Sequence, residues 1–134
     1  MRRIISPQLL LPLDPETTGT QLIPLVVGIA IPWGWLVYHQ RPARSMDGKI
    51  KDHVIGHVGF PDLVLVRAPT VAFIECKSRY EKLREPRMGV RGSQTEWAEA
   101  FEDCPGIWYM IWRAKDWPSI VTFLAEERWP GLAA

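Results

Sequence analysis

The chain has 134 residues, a length that predicts one domain with a core large enough to fold alone. Its formal net charge of +1 excludes the strong basic excess that marks many nucleic-acid-binding proteins by composition. The two cysteines, Cys76 and Cys104, have no C-x-x-C spacing, which argues against a disulfide or zinc framework and favours a reducing compartment.

The first part of the chain is apolar but interrupted by prolines. Residues 1–19 contain three prolines and no sustained period, which predicts an irregular N-terminal arm. Residues 22–37 are short for a membrane span and contain Pro24 and Pro32. We therefore expect a cytoplasmic protein with no membrane partner.

A first helix is predicted from Thr20, its N-cap, to about Ile31. Its residues are hydrophobic nearly all round, which predicts burial on more than one face. Because so small a chain has little surface to cover such a helix, we expect it or a neighbouring apolar surface to form a dimer contact. Residues 35–39 then predict the first core strand, and the polar residues 40–58 a long loop of the kind that is usually functional or mobile.

Two apolar runs, residues 63–66 and 71–74, predict a hairpin of two central strands, with residues 67–70 as its loop. If Val66 pairs with Val71, the ladder places Asp62 opposite Glu75. A slip of one residue would move Asp62 to the other face.

Three charged residues therefore meet at one end of the predicted sheet, because Lys77, two residues beyond Glu75, lies on the same face. Two neighbouring carboxylates repel each other unless a cation lies between them. Their oxygens, with the backbone carbonyl of Cys76, suit Mg²⁺ or Mn²⁺. The alternative is an ordinary ion pair of Lys77 with Glu75 or Asp62.

The charged residues 78–92 predict a flexible basic flap beside these residues. A helix follows, with Ser93 as N-cap and Glu96 three residues later. Gln94 falls in its first turn, on one face with the residues Trp97, Ala98 and Phe101. If the apolar members pack on the sheet, the Gln94 amide points along it towards the charged trio.

Residues 107–112 predict a further strand, and Asp116 caps a last helix that ends at Pro130 and Gly131. The predicted domain covers residues 20–129, with residues 130–134 as a tail. The fold class is α/β, with a mixed central β-sheet flanked by helices.

Basic residues flank the trio on both sides and could follow a phosphate backbone, although the same charges also suit solvated loops. They are Arg41, Arg44, Lys49, Lys51, Arg79, Lys82, Arg84, Arg87 and Arg91.

Four motifs follow one another along the chain: GFPDLVLVR, FIECKS, Ser93-Gln94 with Trp97, and YMIWRAKDW. Together they resemble the VRR-NUC branch of the PD-(D/E)XK nuclease superfamily, over about residues 35–124. The resemblance implies a restriction-endonuclease-like core and Mg²⁺- or Mn²⁺-dependent cleavage of DNA. It implies Asp62 and Glu75 as metal ligands, Lys77 as catalytic and Gln94 as the helix-borne site residue.

The resemblance also implies a stand-alone phage or bacterial protein that acts as a homodimer on branched DNA of the Holliday-junction kind. A flap, fork or restriction-like nuclease is an alternative, as is a catalytically silent DNA-binding module. A structural scaffold in which the trio forms only salt bridges is a third.

One departure from the family concerns the acidic residue that its first helix often carries. Here that region has Gln21 near the expected place and Glu16 a few residues earlier. A ligand from the first helix is therefore missing from the sequence pattern.

Overall fold

A computed structural model describes residues 5–40, 43–44, 50–51 and 54–126, the two short strand segments by their backbone only. The helices are α1 (Gly19–Ala30), α2 (Gln94–Glu102) and α3 (Trp117–Ala125), with 3-10 turns at Pro7–Leu10 and Ala114–Asp116. The strands are β1 (Leu36–Tyr38), β2 (Ala43–Arg44), β3 (Ile50–Lys51), β4 (Leu63–Arg67), β5 (Thr70–Cys76) and β6 (Trp108–Trp112).

Four strands form a mixed sheet in the order β1-β4-β5-β6, in which β6 runs parallel to β5 and the other neighbours are antiparallel. The α/β class and the mixed sheet are therefore confirmed. Strands β4 and β5 are central, as their apolar runs predicted. Strands β2 and β3 pair separately within residues 40–58, where the sequence predicted only a loop.

The hairpin has the predicted register, with Val66 opposite Val71 and Leu63 opposite Ile74. Its turn is shorter than predicted, because Arg67 and Thr70 pair with each other and leave only two residues in the turn. The paired residues stop at Leu63 and Ile74, and Asp62 and Glu75 are the next residues along each chain segment. Both acids therefore lie at the end of the sheet where β5 ends.

Each face of the sheet is covered by different helices. Helices α1 and α3 pack on the face that buries Leu63, Leu65 and Ile74. Helix α2 covers part of the other face through an aromatic cluster of Phe60, Phe73, Trp97, Phe101 and Tyr109. Trp97 and Phe101 are thus packing residues, as predicted.

Helix α1 begins earlier than predicted. Thr18, not Thr20, is its N-cap, and its hydroxyl accepts from the Gln21 backbone N–H while the Gln21 side chain accepts from the Thr18 N–H. This reciprocal capping box satisfies two donors, which a start at Thr20 would leave unpaired. The helix buries Leu22 and Val26 on one stripe and leaves Leu25 41% exposed, so the described residues do not fully cover the other side of the helix.

Strand β1 differs from the sequence prediction, because it is an edge strand with Leu36 74% exposed rather than a core strand. Asp116 is the N-cap residue of α3, as predicted. Its carboxylate, however, accepts from the Arg113 backbone N–H in the 3-10 turn and from no N–H of α3. Helix α3 ends at Ala125, and the predicted stop at Pro130 and Gly131 lies outside the described residues. No helix in the described part of the chain is long and apolar enough to cross a membrane.

The start of α1 is held close to the end of β5, and Gly19 makes this contact possible. A Cβ at Gly19 would lie 2.4 Å from the carbonyl oxygen of Cys76. We predict that Gly19→Ala lowers the free energy of unfolding by about 1–3 kcal/mol, because helix and strand must separate. Gly28, in the same helix, has open space around it.

Gly28→Ala is therefore the matched control, and we expect it to raise stability by about 0.5–1 kcal/mol. Urea unfolding of both variants measures the difference. Equal effects of the two substitutions would contradict the close approach of α1 to β5.

Candidate functional site

A pocket of about 160 Å³ opens where β5 ends, next to the start of α1 and the start of α2. It is lined almost entirely by polar groups. The lining residues of interest are Asp62, Glu75, Lys77, Glu81, Arg84 and Gln94. The four residues predicted to be catalytic, Asp62, Glu75, Lys77 and Gln94, therefore meet in one pocket.

Asp62 is fixed from both its side chain and its backbone. Its Oδ2 accepts a 2.8 Å hydrogen bond from the backbone N–H of Cys76. Its carbonyl oxygen accepts a 2.7 Å hydrogen bond from Nδ1 of His39, beyond the end of β1. The carboxylate therefore cannot turn away from Glu75 without breaking a backbone contact.

Glu75 is 2% exposed, and only one of its two carboxyl oxygens accepts a hydrogen bond from a described residue. Its Oε1 accepts a 3.3 Å hydrogen bond from Nε2 of Gln94, while Oε2 has no partner in the described part of the chain. The Asp62 carboxyl lies within hydrogen-bonding range of Glu75, but such a bond needs a proton on one of the two acids. Burial first, and then the neighbouring Asp62, raise the pKa of Glu75 to about 9.

Lys77 is also 2% exposed, and its ammonium group does not pair with either acid of the trio. Its Nζ donates to Oε1 of Gln94 at 2.7 Å and to Oε2 of Glu81 at 3.3 Å. A lysine has three N–H donors, so one is left for a ligand. The alternative of a simple ion pair between Lys77 and Glu75 or Asp62 is thus not what the described residues form.

Gln94 connects the two charges. Its Oε1 accepts from Lys77 and from the backbone N–H of Arg84, at 2.8 Å, and its Nε2 donates to Glu75. The side chain is aimed by the start of α2, where the Ser93 hydroxyl accepts from the Glu96 N–H. The predicted N-cap and the predicted direction of Gln94 are both present.

Glu81 was not recognised from the sequence as a site residue. Its Oε1 accepts from the Ser78 backbone N–H, and this hydrogen bond lowers the pKa of Glu81, so the side chain is an anion beside Lys77. The only signal was its position four residues after Lys77. That spacing is informative in a helix, but here the chain forms a turn.

The residues present fit a divalent cation in the pocket. Among the described residues, no group of three His, Cys, Asp or Glu side chains could hold a metal ion. The side-chain donors in the pocket are therefore fewer than three. The donor set consists of the carboxylates of Asp62 and Glu75 and the backbone of Cys76, which lines the pocket. A cation would meet the unpartnered Oε2 of Glu75 and relieve the contact between two acids.

The thiol of Cys76 has a different role from its backbone. It is buried in the core on the opposite face of the sheet from Glu75, as the strand alternation predicted. Burial, with the charges of Asp62 and Glu75 nearby, raises the pKa of this thiol. It stays neutral and is not a nucleophile.

The basic residues are divided between described and undescribed parts of the chain. Arg41 and Lys49 lie outside the described residues, and for Arg44 and Lys51 the backbone alone is described. Residues 78–92 have no regular structure but are tied to the site through Arg84 and Glu81. Of the others, Arg79 pairs with Glu16 at 2.9 Å, and the side chains of Lys82, Arg84, Arg87 and Arg91 are exposed.

Helix α1 supplies no acid to the pocket, in agreement with the departure seen in the sequence. Glu16 bonds to Arg79, and the Gln21 side chain is used by the capping box. The residues that α1 places at the pocket are Gly19, Thr20 and Ile23.

Comparisons with protein-family models, with curated proteins and with solved structures gave no match for this chain. The similarity to a family therefore rests on the motifs of the chain itself.

The protonation of Glu75 gives a stability prediction. In the folded chain Glu75 keeps its proton up to about pH 9, against an ordinary value of 4.5 that applies to the unfolded chain. Between these values folding takes up a proton, so this carboxyl makes the protein less stable as the pH rises. We predict that Glu75→Gln, measured with EDTA present, is about 1–3 kcal/mol more stable than the wild type at pH 8.

The difference should shrink towards zero below pH 4.5, where the acid is neutral in both states. Denaturant unfolding at several pH values measures it. Parallel pH profiles of the two proteins would contradict the proposed protonation of Glu75. Asp62 is less suitable for this test, because its removal also leaves the Cys76 N–H without a partner.

Proposed function

We propose that the chain is a metal-dependent nuclease that hydrolyses phosphodiester bonds in DNA, with a PD-(D/E)XK core of the VRR-NUC kind. The observation that carries the proposal is the buried Glu75 beside Asp62, with one Glu75 oxygen that has no donor among the described residues, next to a buried lysine that pairs with neither acid. A salt-bridge scaffold would instead pair that lysine with the acids.

The roles of the residues follow from their contacts. Asp62 and Glu75, with the backbone carbonyl of Cys76, would hold Mg²⁺ or Mn²⁺. Such an ion, when bound, activates water and neutralises phosphate charge. Lys77 keeps one N–H free to donate to an oxygen of the phosphate as negative charge builds up on it.

Gln94 has the task of positioning these groups. The Gln94 side-chain amide accepts a hydrogen bond from Lys77 and donates one to Glu75. It therefore lies between the Lys77 ammonium group and the Glu75 carboxyl group and keeps them apart. Glu81 holds Lys77 from a second direction. Preorganised donors of this kind require no rearrangement when the charge develops.

DNA is the proposed substrate because the segment that lines the pocket is basic. Residues 79–91 contain five Lys and Arg side chains against two Glu, and Arg84 itself reaches the pocket. Phosphate contacts of this kind position a nucleic acid without reading its sequence. The family resemblance favours branched DNA, and two symmetric cuts would need a homodimer with two related sites.

Cleavage of end-labelled DNA tests this function. The substrates are a four-way junction, a flap, a fork, a linear duplex and a single strand, each with Mn²⁺, Mg²⁺ or EDTA. We expect metal-dependent cutting by the wild type and a loss of at least about 10²-fold in Lys77→Met, because the charge is removed while the side-chain length is kept. Lys115→Met, at an exposed lysine that does not line the pocket, is the control and should cut normally.

The pattern of cutting decides between the alternatives. Paired nicks in the junction favour a resolvase, and cutting of a flap, fork or linear duplex favours another nuclease with the same chemistry. Binding of DNA without cutting in any metal would overturn the proposal in favour of a silent DNA-binding module.

A further inference from the structure

Two side chains stand out among the exposed apolar residues of the described chain. Ile55 and Met88 are each 102% exposed, as much as in an extended peptide. Each is followed by a glycine with positive φ, Gly56 at 106° and Gly89 at 75°, and both glycines have open space around them. Ile55 therefore lies at the tip of a bend, and Met88 at the tip of a tight turn, and both side chains point into solvent.

The two segments form one unit that is joined by a backbone contact. The backbone N–H of Val58 donates to the carbonyl oxygen of Arg91 at 3.0 Å, and each tip is three residues from this bond. Gly92 packs so closely there that a Cβ would lie 2.6 Å from the backbone of Val58. The tips are therefore joined at their bases.

This unit is also connected to the pocket. Arg84, whose N–H binds Gln94, is four residues before Met88, so the two Cα atoms are at most about 14 Å apart. Successive phosphates of one strand are about 3.4 Å apart along a duplex. The Met88 tip is therefore within about four nucleotides of a phosphate held in the pocket.

The surroundings of the tips favour a nucleic acid as their partner. The side chains of Lys82, Arg84, Arg87 and Arg91 are exposed in the same segment. A membrane surface is usually bound by an amphipathic helix, but the described residues of both segments are irregular. Single apolar side chains between basic residues are the arrangement with which proteins open base steps.

We infer that Ile55 and Met88 form an apolar wedge that enters an opened base stack beside the pocket. The inference rests on the proposed function and specifies its substrate class. The preferred DNA is one whose stacking is already interrupted, as at a branch, a nick or a frayed end. Such DNA requires less unstacking energy than a continuous duplex, and the wedge replaces the lost stacking contacts.

The test uses DNA with 2-aminopurine, which fluoresces more strongly when it is unstacked. The base is placed beside the branch of a four-way junction and at the same sequence position of a linear duplex. Binding is measured in EDTA, so that no strand is cut. The proteins are the wild type, the double variant Ile55→Ser/Met88→Ser, and a control, Leu11→Ser/Leu36→Ser, at two exposed residues that do not line the pocket.

We expect the wild type and the control to increase the fluorescence of the junction. The wedge variant should give no increase and should bind the junction about tenfold more weakly, with linear-duplex affinity changed by less than about twofold. All four substituted residues are exposed, so the variants should fold normally. Circular dichroism and thermal unfolding check this point.

Three results would overturn the inference. The first is an unchanged fluorescence increase in the wedge variant. The second is an equal loss of affinity for junction and linear duplex. The third is binding of the wild type to phosphatidylserine vesicles that is lost in the wedge variant while its binding to DNA is unchanged.

The experiment separates this inference from the proposed function. A wild-type protein that opens the stack but cuts nothing in Mg²⁺ or Mn²⁺ keeps the wedge and contradicts the nuclease. A wild-type protein that cuts but leaves the fluorescence unchanged keeps the nuclease and contradicts the wedge.

Discussion

One oxygen of the buried Glu75 carboxyl has no donor in the part of the chain that the structure describes, and the pocket is arranged around that constraint. The hairpin register brings Asp62 to the same end of the sheet, so an ionised Glu75 would face a second acid in a place that water hardly reaches. Only a proton or a cation makes this arrangement favourable. A proton relieves the repulsion in the absence of metal, and a divalent ion would replace the proton when it binds.

The remaining polar groups keep the lysine near these acids without letting it neutralise them. Gln94 and Glu81 take two of the three donors of Lys77, and the Gln94 amide lies between the ammonium group and Glu75. If Lys77 paired directly with Glu75, the acid would stay ionised, and the ammonium group would occupy the position of a bound cation. The network thus separates two charges that a simple salt bridge would combine.

Backbone packing keeps the network in position. Gly19 lets the start of α1 lie against the end of β5, and Gly59 and Gly92 let residues 57–62 and 91–93 lie against each other and against the start of α2. These are close backbone contacts, and they position Gln94 and the turn after Lys77 relative to the sheet. The proposed wedge and the proposed catalytic groups share this frame.

Much of this site could be predicted from the sequence because it depends on local rules. The apolar runs and the turn between them set the register of β4 and β5, and the N-cap Ser93 set the direction of Gln94. The role of Glu81 could not be predicted, because it depends on how an irregular turn folds back on Lys77. The N-cap at Thr18 was missed for a related reason, since Thr18 and Thr20 are equally good capping residues by type.

The errors in the sheet have a similar origin. Residues 35–39 are apolar and look like a core strand, but their position at the edge depends on which strand the chain pairs next. The residues around Leu36 in the sequence do not indicate this pairing. Similarly, β2 and β3 pair within a polar segment that has no alternating pattern from which strands could be predicted.

The cation site proposed at Glu75 and Asp62 is one in which a metal ion displaces a proton. Calorimetric titration of Mn²⁺ at pH 7, in two buffers with different ionisation enthalpies, measures both the affinity and the number of protons released. We predict binding with release of about one proton in the wild type, because the pKa of Glu75 is raised to about 9, and weaker binding without proton release in Glu75→Gln. Absence of Mn²⁺ binding in the wild type, or binding that releases no proton, would contradict it.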